Sequence, residues 1–389
     1  MEQRSEFLRH VLAEHEAFAR TCRRYGVSRR TGYKWLQRYH ESGQQGLHDR
    51  SRAPKHHPQA IDDEMAETLV EVRRRHPDWG PITIVNALKR KAVENLPAPS
   101  TVGELLKRSG LVKPRLRRFR RPAGAPPVAD FTAPNRCWCI DFKGQFQMNN
   151  RQWCYPLTIT DGHSRFLLCC DGKSGTDMAG AKKSMERCFA EFGLPDAILS
   201  DNGVPFSSVG AGGLSQLSVW WVKLGIRPMR ITRGKPQQNG RHERMHGTLQ
   251  RKVGDNPAAA MPQQQRALDA FRLEYNTERP HRALDGKTPA DLYVPSEKPL
   301  STKLDSPAYP GHHELRSVRT DGSIKWRGFT LFLSEALHGE LVGLKEFALD
   351  KWLIRFGPVD LAVLDDRGSE PAILRLPHPS SLGAQDYPG

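Results

Sequence analysis

The sequence has no long apolar run: nothing in its 389 residues approaches the roughly 18 consecutive apolar residues of a membrane span. Cysteine is sparse. The seven are Cys22, Cys137, Cys139, Cys154, Cys169, Cys170 and Cys188, an odd number with no Cys-x-x-Cys knuckle. Neither a disulfide framework nor a structural zinc is expected, and the thiols read as reduced core groups. His56-His57 has no paired cysteines near it and does not change that. Met1-Glu2-Gln3-Arg4-Ser5-Glu6 lacks the apolar core of a signal peptide. These absences give the expectation of a soluble, cytoplasmic protein with no membrane partner.

Acidic residues are also too few to balance the basic ones. The net charge is +16, and residues 1–130 alone hold 26 Lys and Arg against 15 Asp and Glu. Such an excess calls for a polyanionic partner, and nucleic acid is the natural one.

Residues 1–50 read as a helix-turn-helix unit. Phe7, Leu8, Val11 and Leu12 form one apolar stripe, a second helix lies around Ala17–Arg24, and Tyr25-Gly26-Val27 makes the turn. Ser28 caps a third helix, to about His40, with Trp35, Leu36 and Tyr39 inward. Arg29, Arg30, Lys34 and Gln37 then face outward, where such units meet the major groove. Gly32 is the odd residue, because a larger core side chain is usual there. Residues 59–112 repeat the theme, with helices over Ile61–Arg75, Ile82–Lys91 and Pro99–Arg108 and with Thr101, Lys107 and Arg108 as expected DNA contacts. Residues 113–130 are a linker. Its Lys113–Arg121 stretch has six Lys and Arg and no acid, so Arg115, Arg117 and Arg118 are expected to grip phosphates.

From Arg136 the pattern becomes β-prone. Cys137–Phe142, Trp153–Asp161 and Ser164–Asp171 suggest an antiparallel meander. Gly180–Phe192 then reads as a helix, Asp196–Ser200 as a short buried strand, and Val219–Met229 as a further helix and strand. Gly234–Arg244 is a basic loop leading into a helix whose buried stripe is Met245, Leu249 and Val253. This order suggests an α/β layer fold of the RNase H type over residues 131–295.

Four blocks occur in order: Trp138-Cys139-Ile140-Asp141-Phe142, Leu199-Ser200-Asp201-Asn202-Gly203, Pro236–Arg244 around Glu243, and Tyr275-Asn276-Thr277-Glu278-Arg279-Pro280-His281. Together they resemble the signature of the retroviral-integrase superfamily, specifically bacterial insertion-sequence transposases of the Asp-Asp-Glu type. The resemblance covers about residues 10–295. It implies an integrase-type catalytic core in which Asp141, Asp201 and Glu243 are both catalytic residues and metal ligands. The implied cofactor is two Mg²⁺ ions, with Mn²⁺ able to substitute; hard cations of this kind take carboxylate oxygens. The implied partners are double-stranded DNA, as terminal inverted repeats and target, and a second copy of the chain, since two DNA ends must be held. A nucleoid-associated location in a bacterium is implied by the same resemblance.

Two departures stand out. The 41 residues between Asp201 and Glu243 exceed the family's usual gap and include Val209-Gly210-Ala211-Gly212-Gly213. That stretch reads as a loop near the active site that orders on DNA. Where retroviral integrases carry lysines beyond the Glu, this chain has Gly247 and Gln250, while Lys235, Arg241, Arg244 and Arg251 supply the charge; Lys235, Arg241, Arg244 and His246, one turn from Glu243, are the expected DNA contacts here. Asp161, in Thr160-Asp161-Gly162-His163-Ser164-Arg165, resembles a family block but reads as a turn-ordering residue. His242 and His281 read as surface or phosphate-contact residues.

Residues 312–366 are read as a small β-rich, barrel-like domain and 367–389 as a disordered tail. The fold class is thus a multidomain chain: all-α helix-turn-helix units, an α/β RNase H-like core and a small β domain. An inert DNA-binding regulator and a hydrolytic RNase H-type nuclease are the competing functions.

Overall fold

A computed structural model describes residues 2–13, 16–49, 61–112, 129–232, 234–301 and 303–376. Arg115, Arg117 and Arg118 of the basic strap lie outside the described residues. Two compact units are present, Met1–Asp62 and Asp63–Gly389.

In the first unit, α1 (Glu2–Leu12), α2 (Phe18–Arg24) and α3 (Arg29–Ser42) pack around Phe7, Leu8, Cys22 and Leu47. Ser28 caps α3 by accepting from the Thr31 amide at 3.1 Å. Gly32 finds its reason here. A Cβ on it would stand 2.9 Å from both Cys22 Sγ and the Phe7 ring, so only glycine lets α3 lie this close to its neighbours.

The second unit opens with α4 (Asp63–Arg75), α5 (Pro81–Arg90) and α6 (Pro99–Arg108). They share a core with Leu69, Ile84, Leu88, Val102 and Leu106 buried. Paired charges dock this helical layer on residues 274–291. His76 Nδ1 lies 3.1 Å from Glu274 Oε1, Arg90 grips Asp291 through both oxygens, and Asp78 pairs with Arg279.

The central sheet contains β1 (Trp138–Phe142), β2 (Phe146–Gln147), β3 (Trp153–Asp161), β4 (Leu167–Lys173), and, after α7 (Met178–Phe192), β5 (Ala197–Ser200). Helix α8 (Gln216–Lys223) leads to β6 (Arg227–Arg230), α9 (Gly240–Leu249) and α10 (Met261–Thr277). The strand order is β2-β3-β1-β5-β6, with β4 also on β3. The first hairpins are antiparallel, whereas β1–β5 and β5–β6 are parallel. Trp138, Ile140, Leu157 and Ile198 bury one face against α7 and α8. Cys154, Leu167 and Cys170 pack with Met245, Leu249 and Leu268 of α9 and α10. The expected α/β layers are present in the expected order.

The C-terminal region has β7 (Glu314–Ser317), β8 (Ser323–Trp326), β9 (Phe329–Phe332), β10 (Leu341–Ala348), β11 (Lys351–Phe356), β12 (Val359–Asp365) and β13 (Ala372–Arg375). It is β-rich as expected, but the barrel-like closure is not formed. An open five-stranded sheet, β13-β12-β11-β10-β7, stands beside the β8–β9 hairpin. The sheet also runs past residue 366, because β13 pairs with β12 inside the segment expected to be a tail.

The glycine-rich insertion differs most from expectation. It docks against the C-terminal sheet instead of standing free. The Ala211 amide donates to the Leu333 carbonyl at 3.2 Å, and Gly212, at φ +64°, lies so near Leu361 that a Cβ would come within 2.7 Å. Helix α8 is therefore buried on two sides: Leu217, Trp220 and Trp221 face the central sheet, while Val219 and Val222 join Ile324, Leu344 and Phe356. Val222→Ala should lower unfolding stability by about 2 kcal/mol, at ~0.8 kcal/mol per buried methylene. Urea unfolding checks this, and an unchanged midpoint would show that the two layers do not share a core.

Candidate active site

Strand register brings the two aspartates together. Cys139 lies beside Leu199 on parallel β1 and β5, so Asp141 and Asp201, each two residues further on, emerge at the same level. This is the carboxyl end of adjacent parallel strands, where open α/β sheets build their sites. The Gly203 amide donates to Asp201 Oδ1 at 3.0 Å and Asn202 Nδ2 donates to the Ile231 carbonyl at 2.8 Å, which holds the Asp-Asn-Gly turn against the end of β6. Glu243 lies in the first turn of α9 and is exposed.

The charges of Asp201 and Glu243 are both felt at Asp141. Asp141 has its pKa pushed up to about 7, first by burial, then by the charge of Asp201, and further by Glu243. No lysine or arginine among the described residues forms an ion pair with any of them. Their uncompensated negative charge, on hard oxygen donors, suits a divalent cation. As they stand, no three His, Cys, Asp or Glu side chains among the described residues are grouped closely enough to grip an ion.

A hydrogen-bonded layer under Asp141 was not legible as such. Thr158, its register partner on β3, donates its hydroxyl to the Asp141 carbonyl at 3.1 Å. The same hydroxyl oxygen lies 2.7 Å from Nε2 of both His242 and His246, and Thr160 Oγ1 lies 2.9 Å from His242 Nδ1. With its one proton given to the carbonyl, Thr158 accepts from both rings, so each histidine carries its proton on Nε2. Burial keeps both neutral: His242 is held well below its ordinary pKa and His246 is pushed down to about 3. His246 Nδ1 then faces Asp141 Oδ2 at 4.0 Å, and Asn239 Nδ2 approaches the same oxygen at 3.4 Å. His242 is 1% exposed, not a surface residue, and His246 turns its Nε2 toward Thr158 of β3. His281 likewise packs edge-on against buried Tyr275.

Other expected residues are scattered. Arg29, Arg30, Lys34 and Gln37 are exposed on α3, and Thr101, Lys107 and Arg108 on α6. Near the acids, Lys235 and Arg244 are exposed, while Arg241 is half-buried and donates to the Gly162 carbonyl at 2.9 Å. Asp161 is fully buried: its carboxylate accepts from the Asn135 amide and from the Ser164 amide and hydroxyl, which fits the turn-ordering role. One residue was missed. Lys143, two positions past Asp141, donates Nζ to Gln250 Oε1 and so brings an ammonium to the helix position where a family lysine was lacking.

Comparisons with known proteins find the following likenesses. Residues 132–236 and 224–289 match integrase core domain families, residues 3–55 a helix-turn-helix domain and residues 31–106 a homeodomain-like domain. The chain is 26% identical over 161 residues, 41% of its length, to an uncharacterized protein of insertion element IS407 from Burkholderia multivorans. It is 30% identical over 173 residues, 44% of its length, to the Gag-Pol polyprotein of baboon endogenous virus. These matches span 56% of the first relative and 10% of the second. A structure of the HTLV-2 integrase catalytic core in complex with magnesium aligns over 42% of this chain and all of that one, at 16% identity and a TM-score of 0.34.

Proposed function

We propose that this chain, a member of the retroviral-integrase-like superfamily with an integrase core domain and helix-turn-helix regions, is the transposase of a bacterial insertion sequence. It would bind the element's terminal inverted repeats and join them to target DNA. The observation that carries this reading is the register-matched pair Asp141 and Asp201, with Glu243 close enough to raise the proton affinity of Asp141.

Asp141, Asp201 and Glu243 would hold Mg²⁺, as two ions or with Mn²⁺ in their place. When bound, the metal supplies charge stabilisation on the attacking and leaving oxygens of an in-line phosphoryl displacement and a reactive hydroxyl at neutral pH. The chain's own residues supply position. Thr158 and Asn239 fix the Asp141 backbone and side chain, and the neutral histidines fill the space beneath it without adding a competing charge. Arg29, Arg30, Lys34 and Gln37 on α3 would read the DNA end, with Thr101, Lys107 and Arg108 extending the footprint. Lys235, Arg241 and Arg244 would hold backbone phosphates beside the acids. The tail and the C-terminal sheet carry no assigned contact. Because two ends must meet, the working species would be at least a dimer.

The test is joining itself. The full chain, a duplex ending in the element's inverted repeat and a supercoiled plasmid should give joined products with Mg²⁺ or Mn²⁺ and none in EDTA. Joining that persists in EDTA would overturn the metal assignment, and end binding without joining would favour the inert regulator.

A further inference from the structure

Two family-like blocks contribute no acid to the metal group: Thr160–Arg165 and Tyr275–His281. Both converge on one place. Arg165 follows the Asp161 turn in the left-handed region, at φ +66°, a conformation rarely adopted by a residue with a side chain. Its Nε is buried and has no hydrogen-bond partner. Arg241 reaches the same turn, donating to Gly162 with its guanidinium 4.5 Å over the Phe131 ring. Arg244, three residues on and on the same side of α9, donates Nε to the Gly240 carbonyl.

These three guanidiniums repel one another. Arg165 is held down to about 10 first by burial, then by Arg241, and further by Arg244. Among the described residues no carboxylate pairs with any of the three. The carboxylate nearest Arg165 in sequence, Asp161, has both oxygens taken by turn amides and a hydroxyl, and Glu243, beside Arg244 on α9, forms no ion pair with either arginine of that helix among the described residues. Tyr275 does not supply the missing charge, because burial pushes its phenol up to about 12. His281, pushed down to about 4, stays neutral, and its buried Nε2 also lacks a partner. Two half-buried guanidiniums, Arg165 with an orphaned Nε–H and Arg241, beside a third at Arg244, are costly together unless an anion completes them.

We propose that Arg165, Arg241 and Arg244 form a binding site for one tetrahedral phosphate, a backbone phosphodiester of the DNA held next to the metal-binding acids. Arg165 is its anchor. The site rests on the reading of DNA as substrate, and it deepens that reading by naming a residue with no carboxylate role that fixes the strand. Guanidinium forks suit a phosphate because they donate two parallel hydrogen bonds to its oxygens.

The experiment measures binding of a short labelled duplex to the full chain in EDTA across a KCl series, for the wild type, Arg165→Ala, Arg165→Lys and Arg244→Ala. Loss of one phosphate contact should weaken binding about tenfold and lower the slope of log affinity against log salt by about one. Arg165→Lys should recover the slope but not the full affinity, since it keeps the charge and loses the fork. Should Arg165→Ala prove unfolded by its melting curve, exposed Arg244→Ala carries the same expectation. A folded Arg165→Ala protein with wild-type affinity and slope overturns the site. A wild-type chain that binds the duplex but never joins it sinks the transposase reading instead and leaves the Arg165 comparison decisive.

Discussion

Asp141→Asn abolishes joining of DNA ends while duplex affinity is unchanged or slightly tighter; that is the expected result, and the reasons are separable. Affinity comes from Lys and Arg contacts to phosphates, and removing a negative charge near them takes nothing away. On the proposed reading, chemistry depends on charge stabilisation that the carboxylate group organises. That contribution is several kcal/mol, so the loss should be about a thousandfold or more in rate, at ~1.4 kcal/mol per factor of ten. Asp201→Asn should match it, because strand register places the two acids as equals. Glu243→Gln should also fail, though Glu243 is exposed on a helix and has more freedom to readjust. The readout is formation of joined product under conditions where the bound fraction is measured in parallel. Full joining by any of these variants would remove that residue from the group.

How far such a site is legible in sequence depends on how local its causes are. The placement of Asp141 and Asp201 at neighbouring strand ends was readable because each lies at the end of a short apolar strand. The three strands, the helix after them and the stripe of Met245, Leu249 and Val253 that begins in α9 follow from local periodicity, and the structure buries those three side chains. The layer beneath Asp141 could not be read, because whether His242 faces solvent depends on where α9 lies on β3. A helical histidine beside arginines looks like a phosphate contact until the sheet beneath it is known. The insertion around Gly212 is illegible for a related reason: its packing partners, Leu333 and Leu361, lie more than a hundred residues further along the chain. Gly32 belongs with it. Its empty Cβ position is a requirement of the α1 and α2 side chains that crowd it, not a weakness of α3. The strand Ala372–Arg375 is hidden among polar and proline-rich neighbours and is defined only by pairing with β12.

The carboxylate to which the chemistry is assigned should also weaken the metal-free fold. Asp141 holds its proton up to about pH 7, whereas in the unfolded chain it would release it near the ordinary 3.8. Below that lower value both states are protonated and the residue makes no difference. As pH rises through the interval the unfolded state loses its proton first, so folding stability falls, and the full penalty is present above pH 7. The shift sets a ceiling of about 4 kcal/mol, and partial exposure of the side chain should reduce what is measured to roughly half of that. Asparagine mimics the protonated form at every pH. In EDTA, Asp141→Asn should therefore melt above the wild type at pH 8 and alongside it at pH 4. Magnesium should reverse the order at pH 8, because a bound cation rewards the charged form by mass action and asparagine offers it less. The magnesium effect on the wild type should shrink toward pH 6, where protons compete for the same oxygens. An Asp141→Asn protein that melts below the wild type at pH 8 in EDTA would show that the acid is held by contacts stabilising its charge, and the case for an uncompensated, cation-seeking site would fall with it.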